Sequence, residues 1–316
     1  MGRVLKKEDY KNFLNKLKSA GELVAPVTTD MTRFEKIKDV EQVDLDGGNP
    51  FFPIKKYFLP NEEPLLQITN GQTLELKKKP EKRIIFGARL CDINGISVLD
   101  KLYLKHKYPD MNYQQRREHT VIVGVNCITP PSKYCFCSSM DIKKETYDLL
   151  LHEREQDYYI DVFSKKGEKL VKDFPEEEFD YPLPETEKRL ERKNLHEFMD
   201  EKYWEKDTNL CVSCERCTNL CPSCFCFDMI DRVTPGTKNG ERVRVIDSCH
   251  SKDFTQVAGG FVFRDTRVQR YRHRVMHKLQ FFEDKFDRSM CTGCGRCIEY
   301  CHSKIDFVKT INEDFK

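Results

Sequence analysis

The sequence has no marked excess of charge of one sign and no long hydrophobic run. Its 54 Lys and Arg residues are balanced by 52 Asp and Glu residues, giving a formal net charge of +2. This argues against a nucleic-acid-binding protein, which would usually carry a clear basic excess. No apolar stretch approaches transmembrane length, and the first residues, MGRVLKKEDY, lack the apolar region of a signal peptide. We therefore expect a cytoplasmic protein with neither a membrane nor a nucleic-acid partner.

Common catalytic motifs are missing as well. No G-x-G-x-x-G follows a candidate strand and no P-loop is present, so a nucleotide site on this chain is unsupported. No pair of nucleophile and base stands out. These absences argue against catalysis by the isolated chain.

Cysteine, by contrast, is abundant, with 15 residues among 316. Eight of them form two runs that share a C-x2-C-x2-C-x3-C spacing: Cys211, Cys214, Cys217 and Cys221, then Cys291, Cys294, Cys297 and Cys301. Tight grouping of this kind is typical of metal binding in a reducing compartment rather than of disulfides. The spacing is that of bacterial ferredoxins, which bind [4Fe-4S] clusters.

In such runs, three thiolates on a tight loop hold one cluster and the fourth points to the other cluster. The predicted ligands of cluster 1 are Cys211, Cys214, Cys217 and Cys301, and those of cluster 2 are Cys291, Cys294, Cys297 and Cys221. Pro222, Gly293 and Gly295 belong to the cluster loops, where the glycines permit positive φ angles and expose amides. Ser213 and Glu215 replace these glycines in the first run, which predicts clusters of different potential. The alternative is structural zinc, although zinc favours separated cysteine pairs.

The first half of the chain has the pattern of an α/β domain. Strand and hairpin signals lie between Leu23 and Leu76. Helices are predicted over Lys7–Ala20 and Cys91–Leu104, and strands over Arg83–Gly87, Thr120–Val125, Leu149–Glu153 and Tyr158–Phe163. The order strand, helix, strand indicates a βαβ unit.

Four more cysteines follow these predicted strands: Cys91, Cys127, Cys135 and Cys137. Ligands of open α/β sheets bind at strand ends, so the four thiols are candidates for a third [4Fe-4S] cluster. The alternative is that they are reduced, partly buried thiols, which are common.

The remaining segments are charged or rich in further cysteine. We predict a solvated helix over Glu185–Trp204 and a second helix over Arg264–Phe282, whose basic residues either line a cluster or form a solvated face. Cys224, Cys226 and Cys249 remain once both ferredoxin sites are filled. They are either packing thiols or, with His250, ligands of a cluster with an open iron.

Taken together, these patterns predict an α+β protein. We expect an N-terminal mixed α/β domain over residues 1–172 with the candidate third cluster, and a charged helical linker over 173–207. A mainly helical, ferredoxin-like dicluster domain with a long insertion follows over 208–316.

The run CVSCERCTNLCPSCFCFD, followed by DSC, VAGG, RYRHRVMHK and CTGCGRC, resembles the iron-sulfur beta subunit of cytoplasmic sulfhydrogenases, which are nickel-iron hydrogenases. It is equally similar to the related iron-sulfur component of anaerobic sulfite reductases. The segments FGARLCDINGISVLD and VNCITPPSKYCFCSS agree, so the resemblance extends from about Phe51 onward and favours the third cluster. His302 departs from the family, which usually has proline there.

The resemblance implies a non-catalytic electron-transfer subunit of an anaerobic oxidoreductase complex. Its expected partners are a flavin-containing subunit that oxidises NAD(P)H, and either hydrogenase small and large subunits or a sirohaem sulfite reductase subunit. The alternative is an iron-sulfur enzyme that acts directly on a sulfur compound at an open-site cluster held by Cys224, Cys226 and Cys249.

Overall fold

A computed structural model describes residues 2–76, 80–105 and 107–316 of the chain. The strands are β1 Gly2–Lys6, β2 Glu22–Thr28, β3 Thr32–Lys36, β4 Glu62–Thr69, β5 Gln72–Glu75, β6 Arg83–Ala88, β7 Thr120–Val125, β8 Leu149–Glu153, β9 Asp157–Val162, β10 Glu176–Glu177, β11 Phe227–Val233 and β12 Gly240–Ile246. The α-helices are α1 Tyr10–Ala20, α2 Leu90–Tyr103, α3 Met111–His119, α4 Lys165–Val171, α5 Glu205–Leu210, α6 Arg216–Asn219, α7 Arg267–Met276, α8 Phe282–Phe286, α9 Arg296–Glu299 and α10 Phe307–Asp314. None of the helices within these ranges is long and apolar enough to cross a membrane.

An eight-stranded mixed sheet forms the core of the first half, in the order β10-β1-β9-β8-β7-β6-β2-β3. Strands β2, β6, β7 and β8 are parallel, and β8 and β9 form the predicted hairpin. The apolar sequences of β6 and β7 suit central strands because both faces of the sheet are covered. Helix α1 packs on one face through Phe13, Leu14 and Leu17, and α2 packs on the other. The predicted α+β class and βαβ unit are confirmed.

A second, four-stranded antiparallel sheet has the order β11-β12-β4-β5. Its hairpin β11–β12 lies between the two cysteine runs, and it pairs with the hairpin β4–β5 from the first half of the chain. Arg244 on β12 fixes this arrangement, because its guanidinium forms ion pairs with Glu63 on β4 and with Asp110. Sequence patterns did not predict the β11–β12 hairpin. The domain boundaries at 172 and 208 remain a prediction.

The helix predicted over Glu185–Trp204 is wrong. The segment is largely irregular, with single 3₁₀ turns at Leu195–Phe198 and Glu201–Tyr203, and helix α5 begins only at Glu205. Its apolar side chains are spaced too irregularly to form one helical stripe. Most of them are instead buried against the second half of the chain, which carries the two cysteine runs. There Trp204 packs on Phe315 and donates a 2.8 Å hydrogen bond from Nε1 to the Phe198 carbonyl.

The helix predicted over Arg264–Phe282 is present, although it is not uniform. Helix α7 continues through a π-helical turn at His277–Phe281 into α8. Three of its basic side chains, Arg270, Arg274 and Lys278, are buried, so the solvated-face interpretation is wrong for them. Such π-turns are frequent at functional sites, and this one carries Lys278 into the region of the cysteines.

Candidate metal centre

The two ferredoxin-type runs share one backbone conformation. A one-turn helix lies inside each run, α6 in the first and α9 in the second. The two residues that precede and follow the second cysteine have positive φ in both runs: Ser213 at 53°, Glu215 at 64°, Gly293 at 65° and Gly295 at 76°. Each loop therefore curls around its cysteines in the same way, and the positive φ predicted for the two glycines is confirmed.

Close packing explains why glycine occurs only in the second run. A Cβ atom on Gly293 would lie 2.5 Å from the Cα of Cys137, and one on Gly295 would lie 2.5 Å from the carbonyl carbon of Tyr134. The Phe136 amide also donates a 2.8 Å hydrogen bond to the Gly293 carbonyl. The loop that carries Cys135 and Cys137 thus lies directly on the second run. Sequence reasoning identified the φ requirement but not this contact.

A cavity beside the first run brings together cysteines of both runs. Five cysteines line it: Cys211, Cys214, Cys217, Cys297 and Cys301. Tyr271, Arg274 and Phe307 complete much of its wall. Two backbone amides donate to the thiols at 3.4 Å, that of Ser213 to Cys211 Sγ and that of Ile305 to Cys301 Sγ. Amide donors of this kind stabilise the sulfur atoms of an iron-sulfur cluster, so the cavity fits the group predicted there.

A second cavity lies beside the second run. Its cysteines are Cys221, Cys291, Cys294 and Cys297. Phe136 and Lys278 also line it. Cys297 and Arg274 border both cavities, so the two sites are direct neighbours. Cys301 of the second run thus lies with the first three cysteines of the first run, and Cys221 of the first run lies with the first three cysteines of the second. The assignment of the eight cysteines to two clusters remains a prediction.

Buried cations surround the second cavity. Arg274 and Lys278 are 5% and 4% exposed, and their side chains donate to the Cys217 carbonyl at 3.0 Å and to Ser223 Oγ at 2.9 Å. The neighbouring Cys224 thiol, with the ammonium groups of Lys278 and Lys55, holds the pKa of Cys221 well below its usual range. This positive environment favours a thiolate at Cys221 and an anionic group in the cavity.

The other thiols of the second cavity lie in a desolvating environment. Burial raises the pKa of Cys291, Cys294 and Cys297 to about 12. Free thiols with such values stay protonated at neutral pH, whereas a bound metal deprotonates a coordinating thiol outright. The donor set therefore suits a metal cluster better than free thiolates.

The four N-terminal cysteines also come together. Cys91 lies in the first turn of α2, Cys127 follows β7, and Cys135 and Cys137 lie in the next loop. Burial raises the pKa of all four thiols, and a thiolate at Cys127 would raise the values of the other three further. Asn49 Nδ2 lies 3.6 Å from Cys135 Sγ and 3.2 Å from the Cys294 carbonyl oxygen. This set consequently adjoins the second cavity.

A buried ion pair joins the second run to the first half of the chain. Arg296 on α9 and Asp92 on α2 are both 0% exposed, and two hydrogen bonds of 2.6 and 2.9 Å link them. Arg296 Nε also donates to the Pro50 carbonyl at 2.8 Å. The pair fixes the helix that carries Cys91 against the helix that carries Cys297. Neither residue was singled out from the sequence, because ion pairing over such a separation leaves no local pattern.

Cys224, Cys226 and Cys249 are the cysteines outside these three sets. The neighbouring Cys221 thiol raises the pKa of Cys224, and the neighbouring Cys249 thiol lowers the pKa of Cys226 to about 6. His250 is 2% exposed and lines the first cavity, apart from the cavity that Cys224 and Cys226 line. Within residues 2–76, 80–105 and 107–316, no three Cys, His, Asp or Glu side chains group around the position of a single metal ion.

Two comparisons of the sequence with known proteins gave a match. The sequence profile of the 4Fe-4S dicluster domain matches residues 210–305. The chain is 34% identical over 330 aligned residues to sulfhydrogenase 2 subunit beta of Pyrococcus furiosus, covering 98% of this chain and 97% of that protein. A search of solved structures gave no match. The dicluster domain implies [4Fe-4S] clusters, as predicted.

Proposed function

The chain belongs to the sulfhydrogenase beta-subunit family, and from that membership we propose that it relays single electrons within a larger oxidoreductase complex. It is an iron-sulfur electron-transfer protein with [4Fe-4S] clusters. A cubane changes its charge by one with little movement of its ligands, which suits relay work; burial, net charge and hydrogen bonds to sulfur tune its potential.

In this proposal the crossed cysteine sets hold the two clusters of the dicluster domain. Cluster 1 is bound by Cys211, Cys214, Cys217 and Cys301, and cluster 2 by Cys291, Cys294, Cys297 and Cys221. The observation that carries the assignment is that each of two adjacent cavities is lined by the four cysteines of one set, with Cys297 of cluster 2 also lining the first cavity. The φ angles of Ser213, Glu215, Gly293 and Gly295 support it, since they give both loops one shape.

We further propose that Cys91, Cys127, Cys135 and Cys137 hold a third cluster. The three sites then form a row, because Cys294 lies beside the third set and Cys297 borders both other cavities. Cys214 is exposed, whereas Cys91 and Cys127 are buried. Electrons would therefore pass to or from a partner most readily at cluster 1.

The proposed partners are a flavin-containing subunit that oxidises NAD(P)H and a catalytic subunit. The catalytic subunit is either a hydrogenase, with its small and large subunits, or a sirohaem sulfite reductase subunit. The hydrogenase is favoured because the chain is related to a protein named as a sulfhydrogenase subunit. Co-purification of the tagged chain from its native cells, with metal analysis of the captured proteins, tests this. Bound nickel would support a hydrogenase, and sirohaem would support the sulfite reductase instead.

Iron and sulfide analysis of anaerobically purified protein tests the cluster assignment. Two cubanes give about eight irons per chain and three give about twelve. We expect Cys221→Ala to lose about four irons together with the signal of cluster 2, although Cys221 belongs to the first run. Cys127→Ala should remove the third cluster alone. Cys226→Ala, outside the proposed sets, is the matched control, and equal iron loss from it would contradict the assignment.

A further inference from the structure

His250 lies outside both cysteine runs, yet it forms part of the wall of the first cavity. It is 2% exposed and lines this cavity together with Cys211, Cys214, Cys217 and Cys301. Among the residues that the structure describes, neither Nδ1 nor Nε2 of its ring has a hydrogen-bond partner. A buried polar group without a partner is costly, so these nitrogens indicate that a group bound in the cavity is their partner.

The imidazole is held beside the first run by contacts on three sides. The His250 amide donates to Ser248 Oγ at 3.1 Å, and Arg270 Nε donates to the His250 carbonyl at 2.9 Å. The Tyr271 ring packs edge-on against the imidazole, with 6.1 Å between the ring centroids. Ser248 Oγ lies 2.7 Å from Thr218 Oγ1, which belongs to the first run. The turn that carries His250 is therefore bound to the loop that carries the cysteines.

The second cavity has its own buried donor without a partner. Thr292 is 4% exposed and lines this cavity, and its Oγ1 has no hydrogen-bond partner within the described ranges. Thr292 follows the first cysteine of its run, where the first run has Val212, a side chain without a donor. His250 thus brings to the first cavity a donor that the first run lacks at this position. Arg274 Nε is also buried and unpartnered, but Arg274 lines both cavities and cannot distinguish the two sites.

We propose that an imidazole N–H of His250 donates a hydrogen bond to a sulfur atom of cluster 1, and that the Thr292 hydroxyl does the same at cluster 2. This inference rests on the proposed function, because it requires a cluster in each cavity. A neutral imidazole carries one N–H in either tautomer, so His250 always has a donor to offer. Hydrogen bonds to sulfur favour the reduced, more negative cluster, and His250 therefore raises the potential of cluster 1 alone.

Pulsed EPR of the reduced, anaerobically purified protein tests the contact. The chain is labelled with ¹⁵N only in its histidine rings. We expect a weak ¹⁵N coupling to a reduced cluster that is lost in His250→Phe. His302→Gln is the matched control and should keep the coupling, because His302 follows Cys301 but is exposed. Absence of the coupling in wild type, or its survival in His250→Phe, would overturn the proposal. A coupling large enough for nitrogen bound to iron would identify His250 as a ligand and would overturn it as well.

A redox titration measures the effect on the potential. His250→Phe keeps a ring against Tyr271 but removes the donor. We expect the reduction equilibrium of cluster 1 to shift about tenfold toward the oxidised state, which is about 59 mV for a one-electron couple. His250→Gln supplies an amide N–H and should recover most of this shift, whereas Thr292→Val should shift cluster 2 instead. Equal potentials in wild type and His250→Phe would refute the role of His250, and a shift of the same cluster by both changes would refute the separate donors.

Iron and sulfide content separates this proposal from the proposed function. All four variants should keep the wild-type content. If His250→Phe does not fold, the coupling in wild type and the potential of His250→Gln still decide the question. Wild-type protein without iron and sulfide would defeat the proposed function, whereas fully loaded protein without the ¹⁵N coupling would defeat only the hydrogen bond from His250.

Discussion

Gly295→Ala tests the contact between the second cysteine run and the N-terminal cysteine loop. The new Cβ would lie 2.5 Å from both the carbonyl carbon and oxygen of Tyr134 and 2.9 Å from the Cys135 amide nitrogen, all backbone atoms that cannot swing away. The φ of 76° adds strain for any residue with a Cβ. Left-handed strain costs about 1–2 kcal/mol and overpacking about 1–3 kcal/mol, so the expected destabilisation is about 2–5 kcal/mol.

Glu215→Ala is the matched control, because Glu215 holds the same loop position at φ 64° and already carries a Cβ. We expect this variant to keep wild-type iron content and thermal stability. Gly295→Ala should instead push the Cys135 loop outward and lose up to about four irons, those of the third cluster, with a lowered unfolding temperature. Iron analysis and thermal scans at one heating rate measure both effects. Equal behaviour of the two variants would refute the close contact between the second run and the Cys135 loop.

Three further changes probe the charges around the clusters. Lys278→Met should lower the reduction potential of cluster 2 by tens of mV in an EPR-monitored titration, because a buried cation favours the reduced state. Lys278→Arg keeps the charge and should largely preserve the potential. Equal potentials in wild type and both variants would exclude the effect. Asp92→Asn leaves Arg296 buried without its counter-charge and should cost about 3–5 kcal/mol in denaturant unfolding, whereas Asp92→Leu combined with Arg296→Met should recover much of that loss. Burial lowers the pKa of His273 and His277 to about 4, whereas the unfolded value is about 6.5. Between these two pH values the unfolded state binds more protons than the folded state. The free energy of unfolding should therefore fall as the pH drops from about 6.5 to 4. The double His→Gln variant should flatten that part of the stability curve, and an unchanged slope would show that other groups cause it.

Local patterns in the sequence predicted the elements whose residues carry their own signal. The apolar runs of β6 and β7, the amphipathic α1 and the spacing of the two cysteine runs are such cases. The pairing of β12 with β4 could not be predicted from local patterns, because it joins segments far apart in the chain. The helix predicted over Glu185–Trp204 was wrong for a related reason. Tertiary burial of scattered apolar side chains, not helical periodicity, determines the conformation of this segment. Whether basic residues of α7 face solvent or cysteines is likewise decided by packing.

The crossed cysteine sets have a consequence for biosynthesis. If Cys301 completes the site begun at Cys211, the ribosome must pass both runs before either site has its four thiolates. Insertion of clusters 1 and 2 then follows translation of the whole segment, because a nascent chain arrested between the runs offers only three ligands of cluster 1 and one ligand of cluster 2. Loading of these two sites would thus be all-or-none. In a Cys127→Ala background, which removes the proposed third cluster, ribosome-bound chains stalled before Cys291 should carry no acid-labile sulfide.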